Sequence, residues 1–60
     1  MKQVTLIPRE IFQRIVKAGV YMVLDGANLG LAVASLSRTN GLTPYEAVLL
    51  QERIKNELGK

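Results

Sequence analysis

Residues 1–17, MKQVTLIPREIFQRIVK, decide the fold class. Residues 2–7 alternate as a β-strand does, with Val4 and Leu6 toward one side and Gln3 and Thr5 toward the other. Pro8 follows, and Pro suits the first turn of a helix because its missing N–H has no partner to lose there. From that point the apolar residues recur at helical spacing. Ile11, Ile15, Ala18 and Met22 form one row with Phe12, Val16 and Val23 beside it, while Glu10, Gln13, Arg14, Lys17 and Tyr21 make the polar face. A lone strand leaves its backbone N–H and C=O groups unpaired. With no second convincing strand in the chain, the nearest partner is the same strand of another copy. The expected fold is therefore mainly α over a single domain, residues 1–60. One short N-terminal β-strand precedes two or three helices, and the chain assembles as an intertwined homodimer with an intermolecular β-ribbon. The dimer interface expected on this reading is Val4, Leu6, Ile11, Phe12 and Ile15.

Chain length supports the same expectation. A domain of 60 residues buries only roughly 60% of its unfolded surface and is marginal without disulfides, a metal or oligomerisation. The chain has no Cys and no His, which excludes disulfides and thiolate or imidazole ligands. Its carboxylates, Glu10, Asp25, Glu46, Glu52 and Glu57, are scattered, so no metal and no other cofactor is expected. Oligomerisation is the remedy left, and an apolar content of 48% is more than one small core easily hides.

The N-terminus lacks the apolar run of a signal peptide, and the absence of Cys is compatible with a cytoplasmic protein. Residues 19–36 are apolar, yet Asp25 and Asn28 stand at their centre, and a centred Asp costs roughly 2.5–3.5 kcal/mol on insertion scales. No membrane span is expected. The net charge of +3 lies wholly in residues 1–38, because residues 39–60 balance Arg53, Lys55 and Lys60 against Glu46, Glu52 and Glu57. Such a basic half suits nucleic acid or an acidic protein, or is an ordinary solvated face.

Further along, Asp25–Gly26 signals a turn, and residues 27–38 read as a second helix with Leu29, Ala32, Val33 and Leu36 as its stripe. The spacing of Gly26, Gly30 and Ala34 suggests a smooth strip that another backbone can approach. A competing reading makes GVYMVL and LGLAVAS the two strands of a hairpin across DGAN. Asn40–Gly41 ends this element. The last helix begins at Thr43-Pro44-Tyr45-Glu46, a capping box with Pro at its first position, stapled by Leu42 onto Ala47. Ala47, Leu50, Ile54 and Leu58 form its buried row, Arg53 and Glu57 are spaced to pair, and Gly59 closes it.

Little in the chain carries chemistry. Without His, Cys or clustered carboxylates there is no evident general base or covalent nucleophile, so an enzyme is not expected. Ser35, Ser37 and Thr39 have no neighbour to activate a hydroxyl, and Asp25-Gly26-Ala27-Asn28 lacks the remaining ligands of a calcium loop. The candidate site is the strand with the start of the first helix. Paired strands can enter the DNA major groove, where Gln3 can read adenine and Thr5 can exchange a hydrogen bond, while Lys2, Arg9, Arg14 and Lys17 hold phosphates.

The segment VTLIPREIFQRIVKA resembles the strand-to-helix junction of ribbon-helix-helix DNA-binding proteins of the Arc and CopG type, and NGLTPYEAVLLQERIKNEL resembles their second helix. Together these segments cover a little over half of the chain. The resemblance implies a dimeric transcriptional regulator. The chain departs from that pattern in the mostly apolar stretch between the two segments. It departs also in register: the family's pattern would turn Ile7, Thr5 and Gln3 inward and Val4 and Leu6 toward DNA. The first segment is also similar to the last strand and helix of the carbon-storage regulator family, which binds RNA, although Pro8 stands where that family has its RNA-binding Arg. The expected function is a small dimeric DNA-binding regulator. The alternative is a non-enzymatic protein-binding adaptor or inhibitor that acts through an apolar surface of residues 18–36.

Overall fold

The computed structural model describes residues 7–59, which form three helices: α1 (Arg9–Leu24), α2 (Leu29–Asn40) and α3 (Pro44–Leu58). The fold class is mainly α, and each pair of helices is in contact. No β-strand occurs among the described residues. Of the expected strand at 2–7, residues 2–6 lie outside the described residues, and Ile7 is in a bend, packed partly buried against the core.

Residues 20–34 are helix, turn and helix, which overturns the hairpin alternative. Val and Tyr favour strands locally, but local preference is weak against the burial of a whole helical stripe. Helix α1 ends where the Asp25 N–H donates to the Tyr21 carbonyl at 2.9 Å and the Ala27 N–H to the Met22 carbonyl at 2.9 Å. Helix α2 starts later than the expected residue 27 because Asn28 caps it. The Asn28 Oδ1 accepts from the Gly30 N–H at 2.7 Å and the Leu31 N–H at 3.2 Å, satisfying two of the free donors of the first turn. Gly41, at φ 66°, ends α2 in the left-handed region.

The capping box of α3 forms as its spacing predicts. The Glu46 N–H donates to Thr43 Oγ1 at 3.1 Å, and the Thr43 N–H donates back to Glu46 Oε1 at 2.9 Å. The Thr43 hydroxyl also reaches Glu46 Oε1 at 3.2 Å. Glu46 is fully buried, so these bonds replace water around a carboxylate that would otherwise be costly to enclose. A cap of this kind contributes about 1 kcal/mol.

The core is Phe12, Ile15 and Val16 of α1, Ala32 and Val33 of α2, and Leu50 and Ile54 of α3. The stripes expected for α2 and α3 are the ones that turn inward: Leu29, Leu36, Ala47 and Leu58 pack partly buried against this cluster. Helix α1 is rotated from its expected orientation. Its buried side runs through Phe12, Ile15, Val16 and Gly19, leaving Ile11 44% exposed and Ala18 and Met22 at the margin. Gly19 lies on this buried side and leaves room for neighbouring side chains: a Cβ built on it would overlap the Ile54 side chain and lie 3.3 Å from Leu36 Cδ1. The strip expected from Gly26, Gly30 and Ala34 does not serve this purpose. Gly26 is in the turn at φ 109° and Ala34 is exposed, while a Cβ on Gly30 would meet only Asn28 Oδ1 within 4 Å.

The fit at Gly19 generates a stability prediction. Alanine gains about 1 kcal/mol of helix propensity over Gly, but overpacking costs about 1–3 kcal/mol, so Gly19→Ala should destabilise. Ile54→Val removes the Cδ1 methyl that the new Cβ would strike, at a cost of about 0.5–1.5 kcal/mol when made alone. In urea titrations the double variant Gly19→Ala/Ile54→Val should lose less than the sum of the two single losses. Simple additivity would mean that Gly19 is not a contact point between α1 and α3.

Candidate interaction surface on helix α1

A helix advances 100° per residue, so residues four apart form a slowly inclined row. On the outward side of α1 this row is Lys17, Tyr21 and the C-cap residue Asp25, with Arg14 and Glu10 continuing the face toward the N-terminus. Leu24 falls seven residues after Lys17 and therefore on the same side. Tyr21 is 66% exposed, Leu24 68% and, in the first turn of α2, Leu31 70%. Four residues link α1 to α2, so all three are at the same end of the molecule.

Two concavities meet at Tyr21. A groove of about 270 Å³ runs between α1 and α3, with Val16 and Val20 on its apolar wall, Gln13, Lys17 and Tyr21 along one rim, and Arg53 and Glu57 on the other. A shallow depression next to it is lined by Tyr21, Met22, Leu24 and Asp25. The surface is thus apolar at its centre, carries Lys17, Arg53 and Glu57 on its groove side, and has the anion Asp25 at the α1 terminus. The last turn of α1 contains no basic residue, so the negative end of its dipole and Asp25 are not neutralised by α1 itself.

The residues expected to bind nucleic acid are divided by the fold. Lys2, Gln3 and Thr5 lie outside the described residues, as do Val4 and Leu6 of the expected dimer interface. Arg9 opens α1 and is exposed; Arg14 and Lys17 are exposed one turn apart. Phe12 and Ile15, also expected at a dimer interface, are buried in this chain's own core, and Ile11 is half-exposed beside them. The sequence spacing of Arg53 points only to Glu57 as a partner, and its place across the groove from Lys17 needs the packing of α1 on α3. Leu24 and Leu31 had a readable signal: each is seven residues from an exposed cation, Lys17 and Arg38, and shares its side of the helix.

Among the described residues, no group of three or more His, Cys, Asp or Glu side chains is placed to hold a metal ion. No helix among them is long and apolar enough to cross a membrane. Ser35 and Thr39 are exposed, whereas the Ser37 hydroxyl is buried without a hydrogen-bond partner.

If the exposed apolar residues are surface and not core, removing them should leave the fold intact. Tyr21→Ser and Leu24→Ser should each shift the unfolding free energy by about 0.5 kcal/mol or less, the range of ordinary surface changes. Phe12→Ala, by contrast, should cost about 3–5 kcal/mol, comparable to the whole stability of a domain this small. Thermal unfolding followed by circular dichroism compares them, and a large loss in Tyr21→Ser would show that the ring belongs to the core. Comparison of the chain with family models, with curated proteins and with solved structures returns no match, so the functional reading rests on this surface alone.

Proposed function

We propose that this chain is a small non-enzymatic binding domain, an adaptor or inhibitor, that acts through the apolar surface where α1 turns into α2. The observation that carries this reading is that, among the described residues, the three most exposed large apolar side chains, Tyr21, Leu24 and Leu31, stand at one end of the molecule, while Val48 and, to a lesser degree, Ile11 and Tyr45 are exposed elsewhere, on α3 and α1. One exposed Leu is ordinary, but large apolar side chains gathered at one place mark interaction surfaces. Burying each is worth about 1.5–3 kcal/mol, a gain left for a partner to collect. Of the apolar content in residues 18–36, Val33 is taken up by the core and Val20 and Leu29 are half-buried, so the working surface is narrower than the whole stretch.

A photoreactive phenylalanine analogue placed singly at Tyr21, Leu24, Leu31 or Glu52 tests this reading in cells. Glu52 is an exposed residue on α3 and serves as the control. The first three positions should give discrete covalent adducts that position 52 does not. Equal labelling from all four positions, or none from the first three, rejects the surface.

A second reading, a DNA-binding regulator, has support of its own in the exposed Arg9, Arg14 and Lys17 of α1 with Arg53 beside the groove. Glu10 and Glu57 lie along the same side and reduce its field. A binder making about six phosphate contacts should lose roughly a thousandfold in affinity between about 50 and 200 mM salt. Fluorescence anisotropy on a random-sequence duplex measures that slope. Arg14→Ala and Lys17→Ala should weaken binding without unfolding the chain, and no binding at low salt rejects this second reading.

A further inference from the structure

The row on α1 is self-complementary. Lys17 precedes Tyr21 by four residues and Asp25 follows it by four, so a cation and an anion stand at equal distances, about 6 Å, on either side of an exposed aromatic ring. A two-fold axis that lies between two copies at the height of Tyr21 and runs across the helix direction exchanges the two ends of this row. It brings Lys17 of each copy to the height of the partner's Asp25. The same operation keeps each flank of the row on its own side, so Val20 and Leu24 of one copy lie beside the partner's Val20 and the partner's Leu24, and Ala18 and Met22 beside the partner's Ala18 and the partner's Met22, apolar residues meeting apolar residues on both sides of the charges. Rows of this spacing align when two helices cross at about −50°.

We propose that two copies of this chain associate through α1 in this antiparallel arrangement, with Tyr21 beside the two-fold axis and Lys17 against the partner's Asp25. The proposal rests on reading the α1–α2 end as an interaction surface, and it names a second copy as the occupant.

Three observations favour a second copy over an unrelated protein. First, an isologous interface requires one patch to match itself under a two-fold rotation, and this row does so in both charge and apolarity. Second, Asp25 and the negative end of α1 have no cation in the last turn of their own helix, and Lys17 of the same helix is about 12 Å away, too far to serve. The partner's Lys17 supplies that charge. Third, the groove and the depression are continuous through Tyr21, so the ring of the partner's Tyr21 can lie offset against its counterpart while its neighbours cover Val20 and Met22. This interface differs from the expected ribbon: it uses the outward face of α1, whereas Phe12 and Ile15 stay inside each protomer.

One exposed helix face is smaller than a standard stable interface, so the dimer is weak and concentration-dependent. Sedimentation equilibrium of the full chain from about 10 μM to about 1 mM should show the mass rising from the monomer's 6.6 kDa toward twice that value. Charge reversal then tests the register. Lys17→Glu faces the partner's Asp25 with a like charge, and Asp25→Lys faces the partner's Lys17 in the same way. Each contact occurs twice, and each single variant should raise the dissociation constant about tenfold or more. The double variant Lys17→Glu/Asp25→Lys restores opposite charges and should recover parental association. Both residues are exposed, and circular dichroism confirms that the variants keep their helix content. Association without rescue in the double variant overturns the proposed register. A parent chain that stays monomeric to 1 mM overturns self-association itself. If it does so while positions 21 and 24 still form adducts in cells with a heavier protein, the binding surface stands and only its occupant was wrong.

Discussion

The structure depends on how closely α1 can approach α3. At Gly19 no side chain stands between them, and the Ile54 side chain of α3 occupies the space, with Leu36 of α2 close to the same point. Because Gly19 must face inward, the rotation of α1 about its axis is set. Phe12, Ile15 and Val16 share its side and become core. Tyr21 and Lys17 are carried to the outside by the same rotation, and Ile11 is left half-exposed although it belongs to an apolar row. The side of α1 that holds Gly19 is thus the side the chain buries, and the opposite side is the surface it presents.

What surrounds that contact is modest. The buried apolar residues number two or three from each helix, and a domain of this length retains only a few kcal/mol of net stability. Local devices consequently matter. The Asn28 cap, the left-handed Gly41 and the Thr43–Glu46 box begin or end helices that are too short to persist alone. Glu46 is the clearest case, since it is enclosed completely and its carboxylate accepts the hydrogen bond from the Thr43 N–H at the start of α3. The stretch that links the two halves of the ribbon-helix-helix resemblance is itself helical: residues 19–24 finish α1, and α2 packs against both α1 and α3. The molecule is thereby a three-helix domain whose described part stands without a strand.

The candidate surface follows from the same geometry. The most exposed large apolar side chains among the described residues, Tyr21, Leu24 and Leu31, stand at the end where α1 gives way to α2, with Lys17, Arg53 and Glu57 about the groove beside Tyr21 and Asp25 at the end of α1. Charged groups around an apolar centre provide orientation, while the centre provides the gain from burial. The exposed cations of α1 were legible at once because charge can be counted along a helix face. The groove was not, because Arg53 and Glu57 are more than thirty residues from Lys17 and meet it only through packing.

Several features were determined by the sequence alone. Pro8 and the spacing after it specify where α1 begins, Asp25–Gly26 the turn, and Thr43-Pro44-Tyr45-Glu46 the start of α3, because caps and turns act through hydrogen bonds only a few residues long. The inward stripes of α2 and α3 were equally readable from period. Three matters were decided by tertiary structure. Residues 20–34 became helical although their composition also allowed a hairpin, since burial of a continuous stripe outweighs local preference. Of two neighbouring apolar rows on α1, the one containing Gly19 faces the core, with the Ile54 side chain in the space that a Cβ on Gly19 would take. Lys17 and Arg53 came to flank one groove by the packing of α1 on α3. Periodicity states which residues share a side of a helix; the direction in which that side points is set by the volumes of the residues it must meet.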